Sequence, residues 1–206
     1  MEQAEHQMMG YDRASTMFSP DGRLLQVEYA KKAVKQGITA IGMTCKDGAL
    51  IITDKRLTEK LIVAKSVEKV SQIDDHVAAA SSGFMMDGRV LIERAQLLAQ
   101  QHRVMNDEPM EIIELVKEIA DLKQFYTQYG GARPFGVSIL FAGVDDKPRV
   151  YVTDPTGIFF EYKATAIGED ENEMKVILNR EYKETMTIDE GIKLAISAFK
   201  RTMKKD

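Results

Sequence analysis

Along this chain the spacing of apolar residues changes period in blocks, and the order of those blocks narrows the fold more than any other feature. Leu24, Val27 and Val34 recur at helical spacing. Two short apolar runs follow, Ile38 to Thr44 and Ala49 to Thr53, joined by Lys46-Asp47-Gly48, which predicts a β-hairpin. Leu61 to Ala64, Val70 to Ile73 and His76 to Ser81 are further strand candidates, the last ended by Ser82-Gly83. The period then turns helical, with Val90, Ala95 and Leu98 on a helix over about residues 84–103. Asn106-Asp107-Glu108-Pro109 reads as a loop and helix start, with Pro near the first turn. Ile112, Val116, Ile119 and Leu122 carry that helix to about Tyr129, where Gly130-Gly131 break it.

Strand-length runs return at Gly136 to Val144, Val150 to Thr153, Ile158 to Tyr162 and Ala164 to Ile167. Asp145-Asp146-Lys147-Pro148 and Asp154-Pro155-Thr156-Gly157 supply the turns. Two last helices are expected. The first opens on Glu169-Asp170-Glu171-Asn172-Glu173, acidic groups that suit a helix N-terminus, and has Met174, Ile177 and Leu178 as its apolar stripe. The second starts at the capping box Thr187-x-x-Glu190 and buries Ile192, Ala195 and Phe199. Runs of strands followed by runs of helices indicate α+β rather than an alternating parallel sheet. Two strand blocks and two helix pairs suit two packed sheets between helix layers.

A chain of 206 residues can bury a substantial core. The net charge of −4 argues against a general nucleic-acid binder, which needs a basic face. Cys45 is the only cysteine, so no internal disulfide forms and a reducing compartment is expected; beside a hairpin turn it reads as a small strand residue rather than a nucleophile. His6, His76 and His102 are scattered and show no metal-ligand spacing, and nothing calls for a cofactor. No apolar run is long enough to span a bilayer, so a cytoplasmic protein with no membrane partner is expected. Twelve methionines read as core fillers; Met85-Met86 beside Phe84 are the pair that could instead line an adaptable binding surface.

The N-terminal part is the most specific stretch. Residues 1–10 are polar and without periodicity, a flexible tail. Tyr11-Asp12-Arg13-Ala14 leads to Phe18-Ser19-Pro20-Asp21-Gly22-Arg23-Leu24-Leu25-Gln26-Val27-Glu28-Tyr29-Ala30. Ser19-Pro20-Asp21-Gly22 is a turn that runs into a helix over about residues 20–36, with Glu28 set to pair with Lys31 and Lys32 and Gly37 as the stop.

This block resembles the N-terminal block of proteasome core-particle alpha subunits, most of all the archaeal type. The resemblance continues through Thr39-Ala40-Ile41-Gly42, Thr53-Asp54-Lys55-Arg56, Val67-Glu68-Lys69-Val70, Ser82-Gly83, Tyr126 to Gly131, Arg133 to Ser138 and Glu161 to Gly168. It therefore implies a four-layer α-β-β-α sandwich of the kind shared with hydrolases that use an N-terminal nucleophile. Active beta relatives expose an N-terminal threonine whose own amine helps as base. The matching position here is Ile38, which has no hydroxyl, and Thr39 beside it is internal. Asp54 and Lys69 match a supporting acid and a lysine, but without the threonine they run no acyl transfer; Asp54 reads equally as a satisfied structural acid.

The resemblance accordingly implies a non-catalytic subunit. It would form a seven-membered outer ring with other alpha subunits, gate unfolded protein substrates, template the catalytic beta subunits and dock an activator ATPase. Lys69 would pair with the activator's C-terminal carboxylate, in a pocket between neighbouring subunits that Gly37 and Phe84 also line. Gly37 and Phe84 read as well as a helix stop and a packing residue. Tyr11, Asp12, Pro20 and Tyr29 match a gate-stabilising cluster across a subunit boundary; packing within one subunit is the other reading. The Tyr126 to Arg133 stretch corresponds to a turn that narrows the way to the inner chamber.

Three departures stand out. Alpha subunits usually continue beyond the point matching Lys205-Asp206 with the last strands of the sandwich and a final helix, so residues 11–206 read as a proteasome-subunit domain lacking that segment. Gly88 stands where Ala is common, at some cost to its helix, and Ala132 stands where Val is frequent. An autonomous hydrolase of the same fold, or a relative that binds proteins without forming particles, are the rival readings.

Overall fold

The chain's short apolar runs become two antiparallel sheets, and its amphipathic stretches cover their outer faces. The computed structural model describes residues 9–55 and 59–202. In chain order the elements are α1 (Leu25–Val34), β1 (Ala40–Cys45), β2 (Gly48–Thr53), β3 (Val70–Asp74), β4 (Val77–Gly83), α2 (Met85–Asn106) and α3 (Ile112–Gln128). β5 (Val137–Val144), β6 (Pro148–Thr153), β7 (Phe159–Glu161), β8 (Ala164–Ile167), α4 (Glu171–Glu181) and α5 (Ile188–Thr202) follow. One sheet has the order β2-β1-β8, the other β3-β4-β5-β6-β7. The sheets pack face to face, α2 and α3 cover the five-stranded sheet, and α4 and α5 cover the three-stranded one. This is the four-layer α-β-β-α sandwich that the resemblance implied.

Strand β5 shows why. Ile139 and Phe141 point to one face and pack with Leu91, Ala95, Ile112, Val116 and Ile119 of α2 and α3. Leu140 and Ala142 point to the other and meet Ala40, Val150 and Ile167 between the sheets. Both faces are covered, so the strand reads as a continuous apolar run rather than an alternation. Beneath the second helix layer, Ile41 and Met43 pack with Met174, Leu178, Ala195 and Phe199. Full burial of each large side chain contributes about 1.5–3 kcal/mol.

Several local expectations hold in detail. Gly22 N–H donates to Ser19 O at 2.8 Å, closing the expected turn. The capping box forms reciprocally: Thr187 N–H donates to Glu190 Oε2 at 3.0 Å and Glu190 N–H to Thr187 Oγ1 at 3.4 Å. Cys45 is buried in β1, and burial followed by the nearby Asp47 charge raises its thiol pKa, which suits a packing role.

Others are corrected. Leu61 to Ala64 is not a strand: Leu61 is 97% exposed and the segment runs into a short 3-10 turn at Ala64–Ser66. Apolar content alone makes no strand without a ladder partner. α1 starts at Leu25, because the Ser19–Gly22 turn closes on itself first, and Pro109 precedes α3 rather than opening its first turn. Glu28 pairs with Arg23, while Lys31 reaches Asp154 at 3.1 Å. Val90 and Ile192 lie on exposed flanks of their helices, and Leu91 and Leu194 take the buried positions. Met43, Met110 and Met174 fill cores as expected, but Met85, Met86 and Met105 are exposed. Gly88 has a packing reason: a Cβ there would lie 2.9 Å from that of Ser81, so α2 sits too close to β4 for Ala without a shift. Residues 1–8 of the expected tail, and 203–206, lie outside the described residues.

Candidate functional site

The end of the sandwich where α1 hands over to β1 brings together most of the residues singled out above. Gln36 N–H donates to Ala33 O at 3.1 Å and Gly37 N–H to Val34 O at 2.9 Å, so α1 tapers off in tight turns. Gly37 does not adopt the left-handed conformation of a helix-stop glycine. It is needed for close approach, since a Cβ there would collide with Gly83 N and the Ser82 hydroxyl. Ser82 Oγ in turn donates to Val34 O at 3.2 Å, locking α1 to the end of β4. Phe84, next to Gly83, caps α2 and is half-exposed, with its ring against Gly136.

Lys69 precedes β3 and shares a small cavity of about 60 Å³ with Ile38, Ser71, Ser81 and Gly83. Its surroundings pull both ways: burial lowers its pKa below the ordinary lysine value, Asp54 works to raise it, and Lys55 adds to the lowering. Lys69 thus lies beside Ile38 and Gly83, whereas Phe84 lines a separate cavity with Gln26, Tyr29, Arg133, Pro134 and Gly136. A cation beside open main chain can receive a chain end that carries a carboxylate.

The position corresponding to an N-terminal nucleophile carries no hydroxyl. Ile38 is an ordinary internal residue. Thr39 is 1% exposed, its hydroxyl accepts from Asp170 N–H at 3.2 Å and lies 3.4 Å from Asp170 Oδ2. Asp54 N–H donates to Thr39 O at 3.2 Å, while its carboxylate charge acts on Lys69.

A second cluster lies on the exposed side of α1. Gln26 Nε2 donates to Asp12 O at 2.5 Å, and Tyr29 Oη donates to Asp12 Oδ2 at 3.5 Å. Lys32 Nζ sits 5.6 Å from the Tyr29 ring centroid. Asp12 and Tyr29 therefore meet within one chain. Tyr11 is half-buried beside them in sequence, and Pro20 is exposed on the Ser19–Gly22 turn.

Two further polar arrangements, at Asp87 and at Lys123, were not foreseen from the sequence. Arg133 grips Asp87 with both terminal nitrogens, at 2.6 and 2.7 Å, and Gly136 N–H donates to the same carboxylate at 2.8 Å. Burial acts to raise the Asp87 pKa, but these donors outweigh it and hold the carboxyl below the usual range. The acid in the first turn of a helix was a visible signal; its partner forty-six residues on was not. Lys123 of α3 is fully buried, with Nζ 3.0 Å from Thr153 O, and burial lowers its pKa to about 7. Among the described residues no helix is long and apolar enough to cross a membrane.

Comparison with known proteins adds the remaining observations. A family model described as "Proteasome subunit" matches residues 34–206, and a second, for the N-terminal signature of the A-type proteasome subunit, matches residues 11–33. The proteasome alpha subunit of Pyrococcus abyssi is 56% identical over 196 residues, which are 95% of this chain and 75% of the relative. That of Archaeoglobus fulgidus is 54% identical over 191 residues, 93% of this chain and 78% of the relative. That of Methanocaldococcus jannaschii is 55% identical over 190 residues, 92% and 73% of the two chains.

Proposed function

The chain belongs to the proteasome alpha-subunit family, and from that premise we propose that it is a non-catalytic, ring-forming subunit of a cytoplasmic protein-degrading particle. The observation that carries this reading is the junction at Gly37-Ile38-Thr39. The signature block and α1 run directly into β1, where an active relative would begin with its nucleophile. Ile38 has no hydroxyl, the Thr39 hydroxyl is engaged by Asp170, and the Thr39 nitrogen is held in a peptide bond. Without a free hydroxyl and an adjacent free amine, acyl transfer has no starting point. Peptide-bond cleavage then falls to beta subunits in the same particle.

In this role seven copies form an outer ring. Residues 1–10 form the gate for unfolded protein substrates, and Tyr11, Asp12, Pro20 and Tyr29 stabilise its arrangement. The Asp12–Tyr29 hydrogen bond supports that part by anchoring the start of the tail to α1. Lys69, Gly37 and Phe84 receive the C-terminus of an activator ATPase. The partly buried ammonium supports this, because a terminal carboxylate is a fitting counter-charge for it.

The test is the mass of the purified chain by light scattering after size exclusion, with negative-stain images, alone and after co-expression with an archaeal beta subunit. The expected result is seven-fold rings that acquire peptidase activity only with the beta partner. A persistent monomer that never joins a beta particle, or peptidase activity from the chain alone that Thr39→Ala abolishes, would refute it.

A further inference from the structure

Met85 and Met86 open α2 side by side, yet the helix sends them to different surroundings. Met85, Gly88 and Ile92 recur at helical spacing and share one face. Gly88 sets that face close against β4, since a Cβ there would lie 2.9 Å from that of Ser81. Met85 and Ile92 accordingly line the cavity of about 60 Å³ beside Lys69, where Ile38 is a further apolar wall and Glu68, Ser71 and Ser81 are polar ones. Met86 shares its face with Arg89, Val90 and Glu93 instead. That face is open to solvent: Val90 is exposed, and Arg89 pairs with Glu93 at 2.8 Å along the surface. Of the adjacent pair, then, only Met85 borders the cavity.

Met85 is also within reach of small solutes. It is 66% exposed, whereas Met43 and Met174 are fully buried in the core beneath α4 and α5. A thioether at such a position is an adaptable apolar contact. A peroxide that meets it transfers one oxygen atom: an S–O bond forms as the O–O bond breaks, the sulfur loses two electrons, and water (or an alcohol, from an organic peroxide) leaves. The product is polar, and its oxygen is a strong hydrogen-bond acceptor. Beside Lys69 this has two effects. The apolar wall on which an incoming chain end would pack becomes polar, and the ammonium gains a neighbouring oxygen that competes with an incoming carboxylate.

We propose that Met85 is a reversible oxidation site, with a peroxide as oxidant, and that its sulfoxide closes the Lys69 cavity to a chain ending in a carboxylate. The proposal rests on the docking role of Lys69 set out above. Met86 has the same chemistry and is 68% exposed, but it lies outside the cavity, so its oxidation leaves docking unchanged. Methionine sulfoxide reductases return Met85 to the thioether and reopen the site.

The experiment uses particles of this chain assembled with an archaeal beta subunit. They are treated with hydrogen peroxide, and sulfoxide at each methionine is followed by peptide mapping with mass spectrometry. The probe is the C-terminal decapeptide of an archaeal activator ATPase, with its amidated form as control, and affinity is read by fluorescence anisotropy. Met85 and Met86 are expected to oxidise before Met43 and Met174. Wild-type affinity should fall about fivefold or more in step with the Met85 sulfoxide fraction, with rings intact by electron microscopy, and the two epimer-specific reductases should restore it to within about twofold. Met85→Leu, a swap of similar volume, should bind within about twofold of wild type before and after peroxide. Met86→Leu should stay as sensitive as wild type. If Met85→Leu does not assemble, the match between lost affinity and Met85 sulfoxide, and its reversal by the reductases, decides. Unchanged wild-type affinity with Met85 converted overturns the proposal, as does protection by Met86→Leu, an equal loss in Met85→Leu, or a loss that comes with broken rings. If untreated wild-type particles fail to bind the probe, or Lys69→Ala binds it as well as wild type, the docking reading itself has failed, and the proposal built on it falls with it.

Discussion

Replacing Lys123 by Met should make this protein more stable at neutral pH and remove a rise in stability toward alkaline pH. Lys123 is fully buried between α3 and β6, with Thr153 O at 3.0 Å and Thr153 Oγ1 at 3.5 Å as its hydrogen-bond partners. Burial lowers its pKa from 10.5 to about 7, with Asp154 opposing. The unfolded chain keeps this proton up to about pH 10.5, whereas the folded chain releases it near pH 7. Between those values the unfolded state binds more protons, so folding becomes more favourable as pH rises, by up to about 1.4 kcal/mol per pH unit. The penalty at pH 7 has an upper bound of about 4 kcal/mol. Losing the hydrogen bond to Thr153 O returns about 1 kcal/mol, and Met fills nearly the same volume. The expected net gain for Lys123→Met at pH 7 is about 2–3 kcal/mol. The assay is urea unfolding of both proteins at pH 7.0 and 9.5, at equal protein concentration, since assembly adds to apparent stability. Other groups titrate in this range, so the quantity to follow is the difference between the two proteins. It should shrink by at least about 2 kcal/mol toward pH 9.5. A difference that does not change with pH, or a variant less stable at pH 7, would refute the account.

Other outcomes follow from the same geometry. Deleting residues 1–10 should raise peptide hydrolysis by an assembled particle several-fold without changing its ring count; unchanged hydrolysis would remove the gate. Lys69→Ala should weaken binding of an activator C-terminal peptide about tenfold or more, as expected for loss of a charge-assisted bond of about 1.5–3 kcal/mol, while rings stay intact by electron microscopy. Gly37→Val should lower thermal stability by about 2 kcal/mol or more, because its side chain meets the Gly83 backbone and the Ser82 hydroxyl rather than a movable side-chain tip; calorimetry decides. Thr187→Ala should cost about 1 kcal/mol in chemical unfolding by removing one half of the α5 capping box.

Helix and strand positions were largely legible in the sequence because their signals are local. The Thr187–Glu190 box, the Ser19–Gly22 turn and the strand runs of β4 to β6 depend on a few neighbouring residues, and each formed close to where it was expected. The misses are non-local. Leu61 to Ala64 has strand composition, but a strand is made by its partner. Val90 and Leu91 are adjacent, and only the sheet beneath α2 decides which is buried. Glu28 had suitable lysines one turn away, yet Arg23 lay closer once the turn had closed.

The sequence alone determined the α+β block order, the absence of a hydroxyl at Ile38 and the family to which the chain belongs. These are matters of residue type and spacing. Tertiary structure decided that Gly37 serves close approach rather than a left-handed turn, that Asp87 and Arg133 tie the 133–136 loop to α2, and that Lys123 lies wholly inside. A side chain's charge is written in the chain, but its solvation and its partners exist only once distant segments have packed. The energetic roles of these residues could therefore not be read before the fold was known.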